Sequence, residues 1–185
     1  MKRMFMAFTV LMFVTVNLWL TAEAQQLENF LSKIKMGEWI EFEGPPQPNS
    51  TILVNEIKVL RGEMEDDDWE VSGAVSRVAP EEKTIYMLNL PIKFDNNTEY
   101  DDLGVIKSFS DIKPGMTVEV DGQYTMDGVF LASVVESKKF KEDEKNFVKW
   151  IGKVEGVEPE SHSINILGHV IILTPETKIK SFLPE

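Results

Sequence analysis

The feature that most constrains this chain is a phrase written twice, Ile34-Lys-Met-Gly-Glu-Trp-Ile-Glu-Phe-Glu-Gly44 and Ile112-Lys-Pro-Gly-Met-Thr-Val-Glu-Val-Asp-Gly122. Ile34, Lys35, Gly37, Glu41 and Gly44 recur in register as Ile112, Lys113, Gly115, Glu119 and Gly122, and the tail of each copy alternates apolar with acidic residues. Alternation with a period of two is the pattern of a half-buried β-strand, and its recurrence marks an internally repeated β protein.

A second match fixes the extent of the repeat. Trp150-Ile-Gly-Lys-Val154 follows Val71-Ser-Gly-Ala-Val75, and the alignment continues without gaps through Val78 and Val157, Pro80 and Pro159, Ile85 and Ile164, Leu88 and Leu167, Ile92 and Ile171, and Thr98 and Thr177. Residues 69–137 therefore read as one complete unit of five strands. Residues 147–185 repeat only its first three strands, and residues 25–60 repeat a helical turn and its last two. Between them lie an acidic linker, 61–68, and a charged linker, 138–146. Half a barrel leaves open strand edges, which isolated proteins avoid. The two halves are expected to meet and complete a second barrel, circularly permuted relative to the first, with Lys180 and Phe30 as neighbours. Exchange of halves between two molecules is the rival, with a monomer favoured. The expected fold is all-β: two small five-stranded barrels, one continuous and one assembled from the N- and C-terminal half-repeats.

Within this plan, Leu27, Phe30, Leu31 and Ile34 fall at helical spacing. Ile40 and Phe42 point one way and Trp39, Glu41 and Glu43 the other, while Pro45, Pro46 and Pro48 stop that strand. Thr51 to Leu60 reads as one strand. Gly73, in mid-strand, suggests a bulge or tight bend. Residues 96–111 read as a polar connection with a weak helical turn near Ser108 to Ile112, and Met126-Asp127-Gly128 is a hairpin signal.

Lys2 and Arg3, the apolar run from Met4 to Leu20, and Ala22-Glu23-Ala24 have the layout of an export signal cleaved after Ala24. The alternative, an uncleaved membrane anchor, is weakened by Thr9, Thr15 and Asn17. The expected location is periplasmic or extracellular. The chain has 19 basic and 31 acidic residues, a net charge of −12, and no cysteine. Disulfides, thiolate metal sites and lipid attachment to cysteine are thereby excluded, and the acidity argues against nucleic acid and anionic membrane surfaces as partners. Cations, neutral glycans and basic protein surfaces stay open.

A glycine-bent first strand and a long connection between third and fourth strands resemble the oligonucleotide/oligosaccharide-binding (OB) barrel. The middle segment also resembles a family of exported bacterial proteins known only as a domain of unknown function, through Val71-Ser-Gly-Ala-Val75, Thr98, Ile112 to Gly122 and Asp127-Gly-Val-Phe-Leu-Ala132. That resemblance implies fold and export, and it carries over no catalytic residue.

Candidate contacts come from the outward faces. The aromatic set Trp39, Trp69, Trp150, Tyr86, Tyr124 and Phe130 could line a groove, but Trp69 and Trp150 are in phase with the core. Trp39 lies in phase with the acidic face, where its counterpart in the other copy is Thr117, and is the best single candidate for an exposed contact residue. Glu41, Glu43, Glu119, Asp121 and Tyr124 complete the candidate ligand-contact set. Glu63, Glu65, Asp66, Asp67, Asp68 and Glu70 could attract a hard cation but lack the spacing of a calcium loop, so a solvated linker is expected. His162 and His169 would need carboxylates such as Glu158 or Glu160 to hold zinc. No metal and no cofactor are expected. No nucleophile is paired with a base, so the expected role is a non-enzymatic binding or accessory protein contacting a protein, glycan or cation. The alternatives are a structural component of a cell-envelope assembly and, third, an enzyme using carboxylates.

Overall fold

The computed structural model describes residues 22–61, 68–101, 104–139 and 147–180. Most of the expected leader and of both expected linkers lies outside these residues. The chain runs through one helix, α1 (residues 22–33), then β1 (Trp39–Gly44), β2 (Ile52–Leu53), β3 (Glu56–Val59), β4 (Trp69–Ala79), β5 (Thr84–Met87), β6 (Leu90–Lys93), β7 (Glu99–Tyr100), β8 (Thr117–Tyr124), β9 (Phe130–Ser137), β10 (Val148–Lys153), β11 (Gly156–Glu158), β12 (Ser163–Ile166), β13 (His169–Ile172) and β14 (Lys178–Ile179).

The middle segment closes on itself. β4 pairs with β5, β5 with β6, β6 in parallel with β9, β9 with β8, and β8 again with β4, giving a closed five-stranded barrel. The terminal segments make the corresponding ladders with one another. β10 pairs with β1 and β1 with β3, as β4 does with β8 and β8 with β9. β11 pairs with β12 and β12 with β13. β13 runs parallel to β2, and β14 parallel to β3, as β6 and β7 run parallel to β9.

The small residues shared by the copies have backbone reasons. Gly37 and Gly115 both adopt φ +84 at the third position of turns closed by Glu38 N–H to Lys35 C=O and Met116 N–H to Lys113 C=O, a conformation that favours glycine. At Gly44 and Gly122, an added Cβ would fall on the carbonyl oxygens of Leu53 and Leu131 respectively, so these glycines allow close strand approach and are not turn residues. Thr98 donates to the Ala132 carbonyl at 2.9 Å and accepts from Asp95 N–H. Thr177 repeats this with the Val54 carbonyl at 2.8 Å and Thr174 N–H, clipping together segments 123 residues apart in the chain.

Several expectations need correction. Thr51 to Leu60 is interrupted at Val54 and Asn55, giving β2 and β3, because Val54 N–H turns to the Ile172 carbonyl and Asn55 N–H to Glu43. The connection read over 96–111 contains the two-residue strand β7, and the half-repeat read as three strands ends in the equivalent two-residue strand β14. Gly73 is not a bulge: the β4 irregularity falls between Val75 and Arg77.

Gly73 has another purpose, visible where β4 and β10 pair. Val71 lies opposite Trp150, Ser72 opposite Lys149 and Glu70 opposite Ile151. In the repeat alignment Val71 is the counterpart of Trp150, so the ladder maps onto itself when the two copies are exchanged, and a pseudo-twofold axis passes through this pair, as in a self-complementary dimer contact. Across that seam the Trp69 ring lies over Gly152, 2.5 Å from where a Cβ would stand. Val148, the counterpart of Trp69, lies over Gly73 at 2.9 Å. Each glycine makes room for the other copy's side chain.

The core runs through both regions and includes Trp150, Val71, Ile40, Phe42, Ile164 and Val120, all at most 1% exposed. Helix α1 joins it as its spacing implies, burying Leu27, Phe30 and Leu31, with Ile34 just beyond its end. Its Glu28 meets His162 at 2.9 Å.

Candidate functional site

The seam exposes two places where side chains of both copies converge. The first is the outer face of the continuous sheet. Glu41 of β1 faces Lys149 of β10 at 3.3 Å and Lys58 of β3 at 4.0 Å. Glu119 of β8 pairs with Lys138. Between them stands Glu70 of β4, whose pKa is raised to about 7 by burial first and then by the neighbouring Glu119 carboxylate, with Lys149 opposing. Its Oε1 is buried without a hydrogen-bond partner among the described residues. Asp121 is also raised, by burial and by Glu119 and Glu136.

Glu41, Glu119 and Asp121 therefore share one sheet face with Glu43, and the first two are ion-paired rather than freely solvated. No group of three or more His, Asp or Glu side chains among the described residues is placed to hold a metal ion.

Trp39 is corrected. It is 8% exposed, covered by Trp69 with ring centroids 4.9 Å apart, and Lys153 stands over its ring at 5.0 Å. Alternation placed it on the acidic face, but Trp69 reaches across the seam to the start of β1 and packs against its ring. Trp69 in turn lies 5.5 Å from Tyr124, so Trp39 and Tyr124 belong to one aromatic row.

Tyr124 leads to the second place, a cleft of about 410 Å³. Its walls are four turns: the proline loop between β1 and β2, the β5–β6 turn, the β8–β9 hairpin and the β12–β13 turn. By the repeat these are two equivalent pairs, one member of each pair from the middle segment. Asn89 Nδ2 donates to Ser50 Oγ at 2.7 Å, tying the two copies together across the cleft. An added Cβ at Gly168 would lie 3.1 Å from the Tyr124 hydroxyl, so glycine lets the tyrosine in. His169, 8% exposed, donates from Nδ1 to the Leu167 carbonyl at 2.8 Å and meets the Trp150 ring edge-on at 5.0 Å. With that proton on Nδ1, Nε2 of the neutral ring is an acceptor.

Leu88 and Leu167, equivalent residues in two of these turns, have φ +52 and +51. A branched side chain there is strained. Burial of Leu167 and packing of Leu88 against the core hold the strain in place.

The candidates divide accordingly: the carboxylates line the sheet face, Tyr124 lines the cleft, and Trp39 is buried beside Trp69, which in turn meets Tyr124. The residues that sequence reasoning did not select are Asn49, Ser50 and Asn89, each in a turn, and His169, weighed only as a zinc ligand, joins them at the edge of the β12–β13 turn. The signal for the loop residues was that the proline loop and the Asp127-Gly128 hairpin differ between copies.

Residues 72–136 match the model of a family described as a domain of unknown function, DUF5666. This match coincides with the closed barrel, β4 to β9. No curated protein and no solved structure matches the chain. Among the described residues, no helix is long and apolar enough to cross a membrane.

Proposed function

We propose that this chain is an exported, non-catalytic binding protein built of two five-stranded OB-like barrels, one formed by residues 69–137 and the other by residues 25–60 with 147–185. The matching ladders of the terminal segments support the second barrel, and the order of residues 1–24 supports export. One observation carries the binding role: four turns from both copies converge on a single cleft whose lining supplies recognition groups, with no nucleophile and base set against each other.

A cross-linked pull-down from native cell-envelope fractions, run beside a thermal-shift screen with calcium, glycans and envelope extract, tests this reading. A captured ligand or a shift in melting temperature is expected. A flat screen together with an empty pull-down sinks it. The assembly-component reading is favoured by one feature, the fully exposed Met126 at the hairpin tip beside the cleft. It predicts a stable protein partner lost on Met126→Asp and indifference to small ligands.

A further inference from the structure

The cleft has a chemistry unlike the rest of this acidic molecule. Among the residues that line it there is no Asp, Glu, Lys or Arg, in a chain of net charge −12. Strong sites for a cation, a basic peptide or a phosphate aim charged side chains at the ligand, and this lining has none. What the cleft holds instead is the inventory for uncharged hydroxyl groups. Asn49 uses its carbonyl oxygen on Thr51, and its Nδ2 takes part in no hydrogen bond among the described residues. Asn89 uses Nδ2 on Ser50 and retains its carbonyl oxygen. His169 offers an acceptor, and the Tyr124 hydroxyl can donate or accept.

Burial and the nearby Glu155 raise the Tyr124 pKa, keeping its proton in place. Apolar surface accompanies these groups, with the Tyr124 ring beside Pro91 and the 40%-exposed Val170. Alternating polar groups and apolar ring surface match the hydroxyl edges and C–H faces of a sugar. An adjoining groove of about 400 Å³ shares Tyr124 and Gly128 and extends the surface past Glu155, giving room for more than one ring.

We infer that the cleft between the two copies binds a segment of uncharged oligosaccharide, with Tyr124 as the stacking platform and Asn49, Asn89 and His169 as the hydroxyl-recognising groups. This rests on the binding role proposed above and assigns its ligand class and place.

The test is an array of uncharged oligosaccharides, β-1,4-glucans, α-1,4-glucans and chitooligosaccharides, probed with the chain lacking residues 1–24. Positives are titrated by tryptophan fluorescence, since Trp69 lies 5.5 Å from Tyr124. Saturable binding to at least one uncharged series is expected. Tyr124→Ala weakens it about tenfold or more, as loss of an aromatic anchor does, and Asn89→Leu weakens it several-fold. Glu176→Gln, in a separate groove beside β14, leaves it unchanged. Asn89 is exposed, so its variant keeps the test decisive if Tyr124→Ala folds poorly by circular dichroism.

Absence of binding across all uncharged series overturns the inference, as does binding indifferent to both cleft variants. If the pull-down captures a ligand whose binding survives Tyr124→Ala, the cleft assignment falls while the binding role stands. If neither array nor pull-down finds a ligand, both fall.

Discussion

The continuous middle segment and the pair of chain ends solve the same backbone problem with different side chains. What they share is geometric: Gly37 and Gly115 at φ +84, Gly44 and Gly122 beneath a carbonyl, Thr177 and Thr98 bonded to the neighbouring strand. What differs faces the other copy. Trp69 stands where the other copy has Val148, Glu70 where it has Lys149, and the Asp127-Gly128 hairpin where it has the proline loop. Shared positions hold the ladders, and the divergent ones build the seam and cleft. The pseudo-twofold arrangement is thus heterologous in its chemistry.

The largest expected effect tests the shared part. Gly44→Ala and Gly122→Ala each drive a methyl group into a backbone carbonyl, which cannot rotate away as a side chain could. Each should cost about 3 kcal/mol, the upper end for overpacking, in urea unfolding followed by circular dichroism. Similar losses in both variants support equivalent strand crossings. If Gly44→Ala is silent while Gly122→Ala is costly, the chain ends do not reproduce the middle barrel's contact.

Next in size are the threonine clips. Thr177→Val and Thr98→Val each remove a buried donor and leave the Val54 or Ala132 carbonyl short of a partner, at about 1–3 kcal/mol. The comparison sharpens because Thr177 joins two distant parts of the chain, whereas Thr98 bonds a carbonyl 34 residues away. Hydrogen exchange at β3 and β14 should therefore quicken in Thr177→Val and stay slow in Thr98→Val. Uniform loss of protection in both variants would mean that the two regions open as a single unit.

Much of this architecture was legible because the repeat marks positions where the backbone itself demands a residue type. Gly115, Gly122 and Thr98 are such positions, and their copies located the chain ends against the middle segment. The seam was not legible. A strand's alternation separates two faces but does not say which becomes covered, so Trp39 read as exposed until Trp69 was seen crossing onto it. Gly73 read as a bulge or bend because the side chain it makes room for, Val148, comes from another copy. β7 and β14 are two residues long, below the reach of any periodicity. The cleft was hidden for a related reason: Asn49, Asn89, Tyr124 and His169 sit in four turns whose convergence depends on the seam.

The smallest effect concerns the one seam position where the copies carry opposite charge, Glu70 against Lys149. With its pKa near 7 in the fold and 4.5 as the reference value, Glu70 binds its proton more tightly folded than unfolded. Below pH 4.5 both states are protonated and its contribution is fully present. As pH rises from 4.5 through 7 the unfolded chain ionises first, so stability declines across that window and levels off above it. A shift of this size in a fully enclosed carboxyl would correspond to about 3 kcal/mol. Solvent reaches this face and screens the charges, leaving about 1 kcal/mol. Glu70→Gln keeps the shape of the protonated acid without the titration, so it should match wild type at pH 4 and exceed it by that amount at pH 8 in urea unfolding. Glu119→Gln, which removes the second cause of the shift, should narrow the wild-type decline and move its midpoint down. A difference between wild type and Glu70→Gln that is constant from pH 4 to 8 would show that Glu70 ionises as freely in the fold as out of it, and that the seam's outer face is ordinary solvated surface.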